Sequence, residues 1–132
     1  MSAHLLYVVL YFLFCHWVAD FLCQTTYMGT MKSKSVAVLL LHTSVYTFVM
    51  FLTMGIGGHL FIPEIITFKF LWFFPVLFVF HTVQDFATSH LTSEQFAQSK
   101  YNGLTGAFTI IGFDQFLHYC QIFITYYYLT NY

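Results

Sequence analysis

Four long apolar runs dominate this chain and decide what it can fold into. The first extends from about Ala3 to Cys23 and the second from about Val36 to Met54. The third covers roughly Phe68 to Ala87 and the last roughly Leu104 to Leu129. A hydrocarbon core takes about 20 helical residues to cross, so each run can span it. Lipid offers the backbone no hydrogen-bond partner, and strands would need an alternation that these runs lack, so helices remain. Composition agrees. Of 132 residues, 59% are hydrophobic, 23% are aromatic and only 7% are charged, with no arginine. A soluble domain carries about 25% charged residues. Four lysines and five acids cannot cover a water-facing surface. Soluble globular, disordered and disulfide-scaffold classes are thereby excluded. A nucleic-acid groove, which needs clustered cations, is excluded with them. The expected fold is an all-α integral membrane protein, with residues 1–132 forming a single four-helix transmembrane domain packed as a compact bundle in the lipid bilayer.

The connections are short. Lys32 and Lys34 lie between the first two runs, and a Gly55-Ile56-Gly57-Gly58 break followed by Pro63 and Glu64 separates the second from the third. Thr88 to Gly103 is the most water-like stretch and ends on the turn pair Asn102-Gly103. Four spans place both termini on one side, with Lys32, Lys34 and Lys100 opposite and Lys69 on the terminal side. The positive-inside rule then puts the first and third loops in the cytoplasm and the termini outside, as in a bacterial inner membrane. The N-terminal run lacks a basic lead and carries His16 and Asp20 where a signal peptide would be cleaved, so it reads as a retained helix. Cys15, Cys23 and Cys120 have no metal-binding spacing and read as small apolar residues.

The chemistry lies in the polar residues inside the runs. All three aspartates fall within predicted helices, and each has a histidine four residues away: His16 with Asp20, His81 with Asp85, Asp114 with His118. Residues four apart share a helix face; three such pairs from seven histidines have a chance probability of roughly one in a thousand. Gln24 extends the first pair into a stripe, and Gln121 and Thr125 extend the third. His42 lies two turns into the second run. Counted from the loops, all these groups fall at matching depth in one leaflet, where four helices turning polar stripes inward enclose one cavity.

An ionised aspartate at mid-membrane costs about 2.5–3.5 kcal/mol, so the three need partners. No lysine lies within a span on that side. Protonated histidine, protonated aspartate or a bound divalent metal is left to balance them. Three carboxylates (Asp20, Asp85, Asp114) and four imidazoles (His16, His42, His81, His118) suit Zn, Mn or Fe, and the inventory is large enough for two ions. Gln24, Tyr46 and Gln115 stand as supporting residues around the ligands. The competing reading of each pair is a hydrogen bond that orients helix packing.

The run from His16 through Asp20 to Thr25 resembles the opening of the bacterial and phage membrane proteins grouped as domain of unknown function 3307. Later blocks match in order: Leu39 to His42, His81-Thr82-Val83-Gln84-Asp85, and Phe113-Asp114-Gln115-Phe116-Leu117-His118. Against that family this chain has Tyr46 where a second histidine is expected, and Thr88 where members tend to carry a lysine. The resemblance implies no established activity. The His/Asp helices are similar in style to another membrane family described as metal-dependent hydrolases.

Three functions follow from the inventory. The first is a membrane-embedded metal-dependent hydrolase acting on a lipid-borne or small phosphate or ester, with Asp20, Asp85 and Asp114 catalytic and one group serving as general base. The second is a proton or metal-ion transporter or channel. The third is a non-catalytic membrane partner with structural His–Asp pairs. A bis-histidine haem bundle is a weaker fourth. The terminal-side half of every run is almost wholly apolar, which suits a site better than a conduction path. The aromatic surface admits a homo-oligomer.

Overall fold

An apolar run in lipid satisfies its backbone by coiling on itself, and the computed structural model, which describes residues 3–61, 70–98 and 103–131, is helical almost throughout. Helix α1, Ala3–Trp17, continues into a π-helical turn, Val18–Leu22, closed by Cys23 N–H donating to Val18 O at 3.0 Å. The short α2, Thr26–Met31, is capped by Thr25, whose hydroxyl accepts from Met28 N. Then come α3, Val36–Phe61, α4, Phe70–Gln98, and α5, Gly103–Asn131. Three stretches, Ala3–Leu22, Val36–Gly58 and Phe70–Gln98, are long and apolar enough to cross a membrane, so the chain has the helices of an integral membrane protein. Helix α5 has the length of a span, but Asp114, Gln115, His118 and Gln121 break its apolar run.

Two boundaries differ from those expected. Helix α3 passes through Gly55–Gly58 without breaking. Once the backbone is shielded from water, leaving the helix would orphan its hydrogen bonds, which outweighs the poor helix propensity of glycine. Helix α4 likewise continues to Gln98 through most of the stretch expected as a loop. Lys69, Lys100, Tyr101, Asn102, Pro63 and Glu64 lie outside the described residues.

Gly57 has a packing role. A Cβ there would overlap the Tyr11 phenol, whose hydroxyl donates to Thr53 O, whereas a Cβ at Gly55 meets nothing. Gly57→Ala is therefore expected to destabilise by about 1–3 kcal/mol. Gly55→Ala should be neutral or stabilising by up to about 1 kcal/mol. Thermal melts in detergent compare the two, and equal midpoints would remove the Tyr11 explanation.

The long helices sort their buried residues by chemistry. Helix α1 buries Val8, Phe12 and Cys15 before His16; α4 buries Phe73 and Leu77 before His81 and Asp85. The order reverses in α3, where His42 precedes Tyr46, Met50 and Met54, and in α5, where Asp114 and His118 precede Ile122. Packed with alternating direction, they stack an aromatic half on a polar half. Phe12 anchors the first, with its ring centroid 5.1 Å from Tyr126 and 6.0 Å from Phe123. Outside, Leu10, Phe14, Phe48, Val83 and Phe116 are exposed, a surface suited to lipid.

Candidate metal centre

The polar half brings the seven predicted ligands together. His16, Asp20, His42, His81, Asp85, Asp114 and His118 are all buried, contributed by α1 with its π turn, α3, α4 and α5. The π turn matters because its different angular step changes the direction in which Asp20 projects; such turns are frequent at functional sites. Asp20 thereby reaches across to another helix, its Oδ1 lying 3.2 Å from His42 Nε2, while its own-helix partner His16 stays 3.7 Å from Oδ2.

Four donor atoms form the tightest group. His42 Nε2 lies 3.3 Å from His81 Nε2, 3.2 Å from Asp20 Oδ1 and 3.0 Å from Asp85 Oδ2. His81 Nε2 lies 3.7 Å from each of the same two oxygens. Donors around a tetrahedral ion with bonds of 2.0–2.1 Å sit roughly 3.3–3.4 Å apart. The remaining oxygens of the two carboxylates face a second set: His16 Nε2 is 3.7 Å from Asp20 Oδ2, and His118 Nε2 is 3.7 Å from Asp85 Oδ1. Three overlapping triads of donors result, His16/Asp20/His118, Asp20/His42/His81 and His81/Asp85/His118. Asp114 enters none of them. It lies beside His118 Nδ1 at 3.5 Å, accepting from Thr88 Oγ1 at 2.6 Å and from Gln115 Nε2 at 3.2 Å.

Several of these buried atoms lack a hydrogen bond: both ring nitrogens of His118, His81 Nδ1, Asp20 Oδ1 and Asp85 Oδ1. Buried polar atoms are normally satisfied, so such a cluster offers lone pairs and donors that a ligand could take up.

The supporting residues divide. Gln115 bridges, its Oε1 2.8 Å from His16 Nε2 and its Nε2 donating to Asp20 Oδ2 at 3.0 Å. Gln24 does not extend the His16–Asp20 stripe, because the helix ends at Leu22; its Oε1 has no hydrogen bond. Lys32 was missed by the sequence reasoning. Its Nζ donates to Asp85 Oδ2 at 2.7 Å, so a lysine outside the spans supplies the counter-charge expected to be absent. Burial pulls its ammonium toward neutrality, but the Asp85 and Asp20 carboxylates outweigh that and hold its pKa above the ordinary lysine value. The signal was its place in the first loop, on the side where all three aspartates lie.

A family model described as protein of unknown function (DUF3307) matches residues 8–132, nearly the whole chain. The chain belongs to this family. No curated protein and no solved structure matches it. Within this DUF3307 chain the two departures noted in the sequence acquire positions. Tyr46 is fully buried, its hydroxyl 2.9 Å from His16 Nδ1 and its ring stacked on His81 at 3.8 Å between centroids. Thr88 takes up Asp114 rather than Asp85.

Proposed function

We propose that this DUF3307 chain is a membrane-embedded metalloprotein, holding a divalent Zn, Mn or Fe ion between His42, His81, Asp20 and Asp85 and acting as a metal-dependent hydrolase. The observation that carries the reading is the donor group itself: two imidazole nitrogens 3.3 Å apart, each 3.0–3.7 Å from one oxygen of Asp20 and one of Asp85, in a buried site. Charge supports it. With neutral imidazoles, three carboxylates against the one Lys32 ammonium leave two negative charges, the complement of one divalent cation. His16 and His118, facing the outer oxygens of the same carboxylates, offer room for a second ion.

When bound, the metal would polarise an ester or phosphoryl oxygen and make water more acidic. The chain's own residues do the rest. Gln115 orients both His16 and Asp20, and Tyr46 fixes the rings of His16 and His81. Asp114, beside His118 and lining the same cavity as Asp20, would be the carboxylate that takes a proton from the attacking water. Helix α5 completes a fourth crossing in this reading: Asp114, His118, Gln121 and Thr125 are buried, while Phe108, Phe113, Phe116 and Ile124 face outward. The first and third loops, with Lys32 and Lys34, face the cytoplasm. A transport path is less well supported, since Phe12, Met50, Met54, Phe73 and Leu77 close the other half with fully buried apolar side chains.

Elemental analysis of protein purified in a mild detergent tests the assignment. One or two equivalents of zinc, manganese or iron per chain are expected, removable by chelator. Metal-free protein after mild purification, with no uptake on titration of any of the three ions, would refute it.

A further inference from the structure

A cavity of about 460 Å³ lies against the candidate metal centre on its loop side, within the size range of small-molecule sites. Asp20 and Asp114 form its inner wall. Lys32, whose ammonium is paired with Asp85 at 2.7 Å, and Lys34 line it, as do the hydroxyl residues Ser89 and Ser93 of α4. Ser89 Oγ is buried and has no hydrogen-bond partner. Phe21 and Phe96, both exposed like the lipid-facing residues, complete an apolar side.

Ammonium and hydroxyl donors converging on one space call for a ligand rich in acceptor oxygens. The two carboxylates alone would repel an anion, so it can sit there only with a cation between it and them. A phosphoryl group meets both conditions, because its oxygens can face a metal on one side and lysines on the other. The phenylalanines suit an apolar substituent. We propose that this cavity binds a phosphate ester, its phosphoryl oxygens held between the metal centre and Lys32 and Lys34. The inference rests on the metal-centre reading and names the class of molecule that reaches it. The phosphate can belong to a lipid headgroup or to a soluble ester, and the chemistry of recognition is the same.

The test uses the full chain in an uncharged detergent, with metal content measured on the sample used for calorimetric titration. The probes are dioctanoyl phosphatidic acid, inorganic phosphate and dioctanoylglycerol, which keeps the chains and lacks the phosphate. Phosphatidic acid is expected to bind, inorganic phosphate to compete with it, and dioctanoylglycerol to fail. Lys34→Gln, at an exposed position, should weaken binding on the order of tenfold. Ser89→Ala should weaken it by a smaller factor. Equal affinity for inorganic phosphate and phosphatidic acid would support the phosphate site and assign it to a soluble ester. Dioctanoylglycerol binding as tightly as phosphatidic acid would overturn it. So would metal-loaded protein that binds neither phosphate probe, and the metal centre would then stand alone. A sample that takes up no metal overturns the metal centre. Phosphate binding that persists in that sample would overturn the metal-bridged arrangement as well, because the anion would then sit beside the two carboxylates with no cation between, and its absence would remove the phosphate site together with the metal centre.

Discussion

Asp20→Ala is expected to lower the affinity of the proposed site for a divalent metal by more than about 100-fold, beyond what loss of a supporting residue typically costs. Asp20 Oδ1 lies 3.2 Å from His42 Nε2 and 3.7 Å from His81 Nε2, while Oδ2 faces His16. Its loss therefore damages both donor sets at once. Asp20→Asn, which keeps the shape but removes the charge, should lose metal as well. Stability separates this from a packing role. The metal-free site carries an excess of negative charge, so neutralising Asp20 relieves repulsion. The metal-free Asn variant should melt at or above the metal-free wild type. A structural His–Asp pair predicts the reverse, a lower midpoint whether or not metal is supplied. Elemental analysis and paired melts with and without chelator read both arms, and a variant retaining full metal would remove Asp20 from the site.

Lys32→Met is expected to destabilise the chelated protein by about 3–5 kcal/mol, the cost of leaving one member of a buried ion pair without the other. Asp85 is 1% exposed, and the Lys32 ammonium lies 2.7 Å from its Oδ2. With a divalent ion present, Asp85 has a second cation, and the loss should shrink to a fraction of that value. The difference between loaded and chelated melts should therefore widen in the variant. An equal drop in both states would show that Lys32 is structural and independent of metal.

Much of the site was legible because helical periodicity is local. His16 with Asp20, His81 with Asp85 and Asp114 with His118 follow from spacing alone, and each pair is buried. A rough count of turns put His42 at the same depth, and its Nε2 lies 3.2 Å from Asp20 Oδ1. Three of the four expected spans were legible for a similar reason, since hydrocarbon thickness sets a length that can be counted along the chain. Element ends were less so. Gly55–Gly58 and the stretch after Thr88 carry local signals for breaking a helix, yet α3 and α4 continue through them. Gly57 reads as a breaker until its neighbour is known, and that neighbour is Tyr11, on another helix.

From the chain alone one can read helices long and apolar enough to cross a membrane and a histidine one turn from each aspartate. Both are properties of runs and spacings within single segments. Helix packing settles which atoms share a space. It joined Asp20 to His42 across two helices, turned Asp85 toward Lys32, set Asp114 beside the donor groups, and moved Gln24 off the helix. A side-chain cluster of this kind is made of contacts between segments, 53 residues apart for Lys32 and Asp85. Such contacts depend on how helices rotate against one another, and on a single π turn that no local pattern announces.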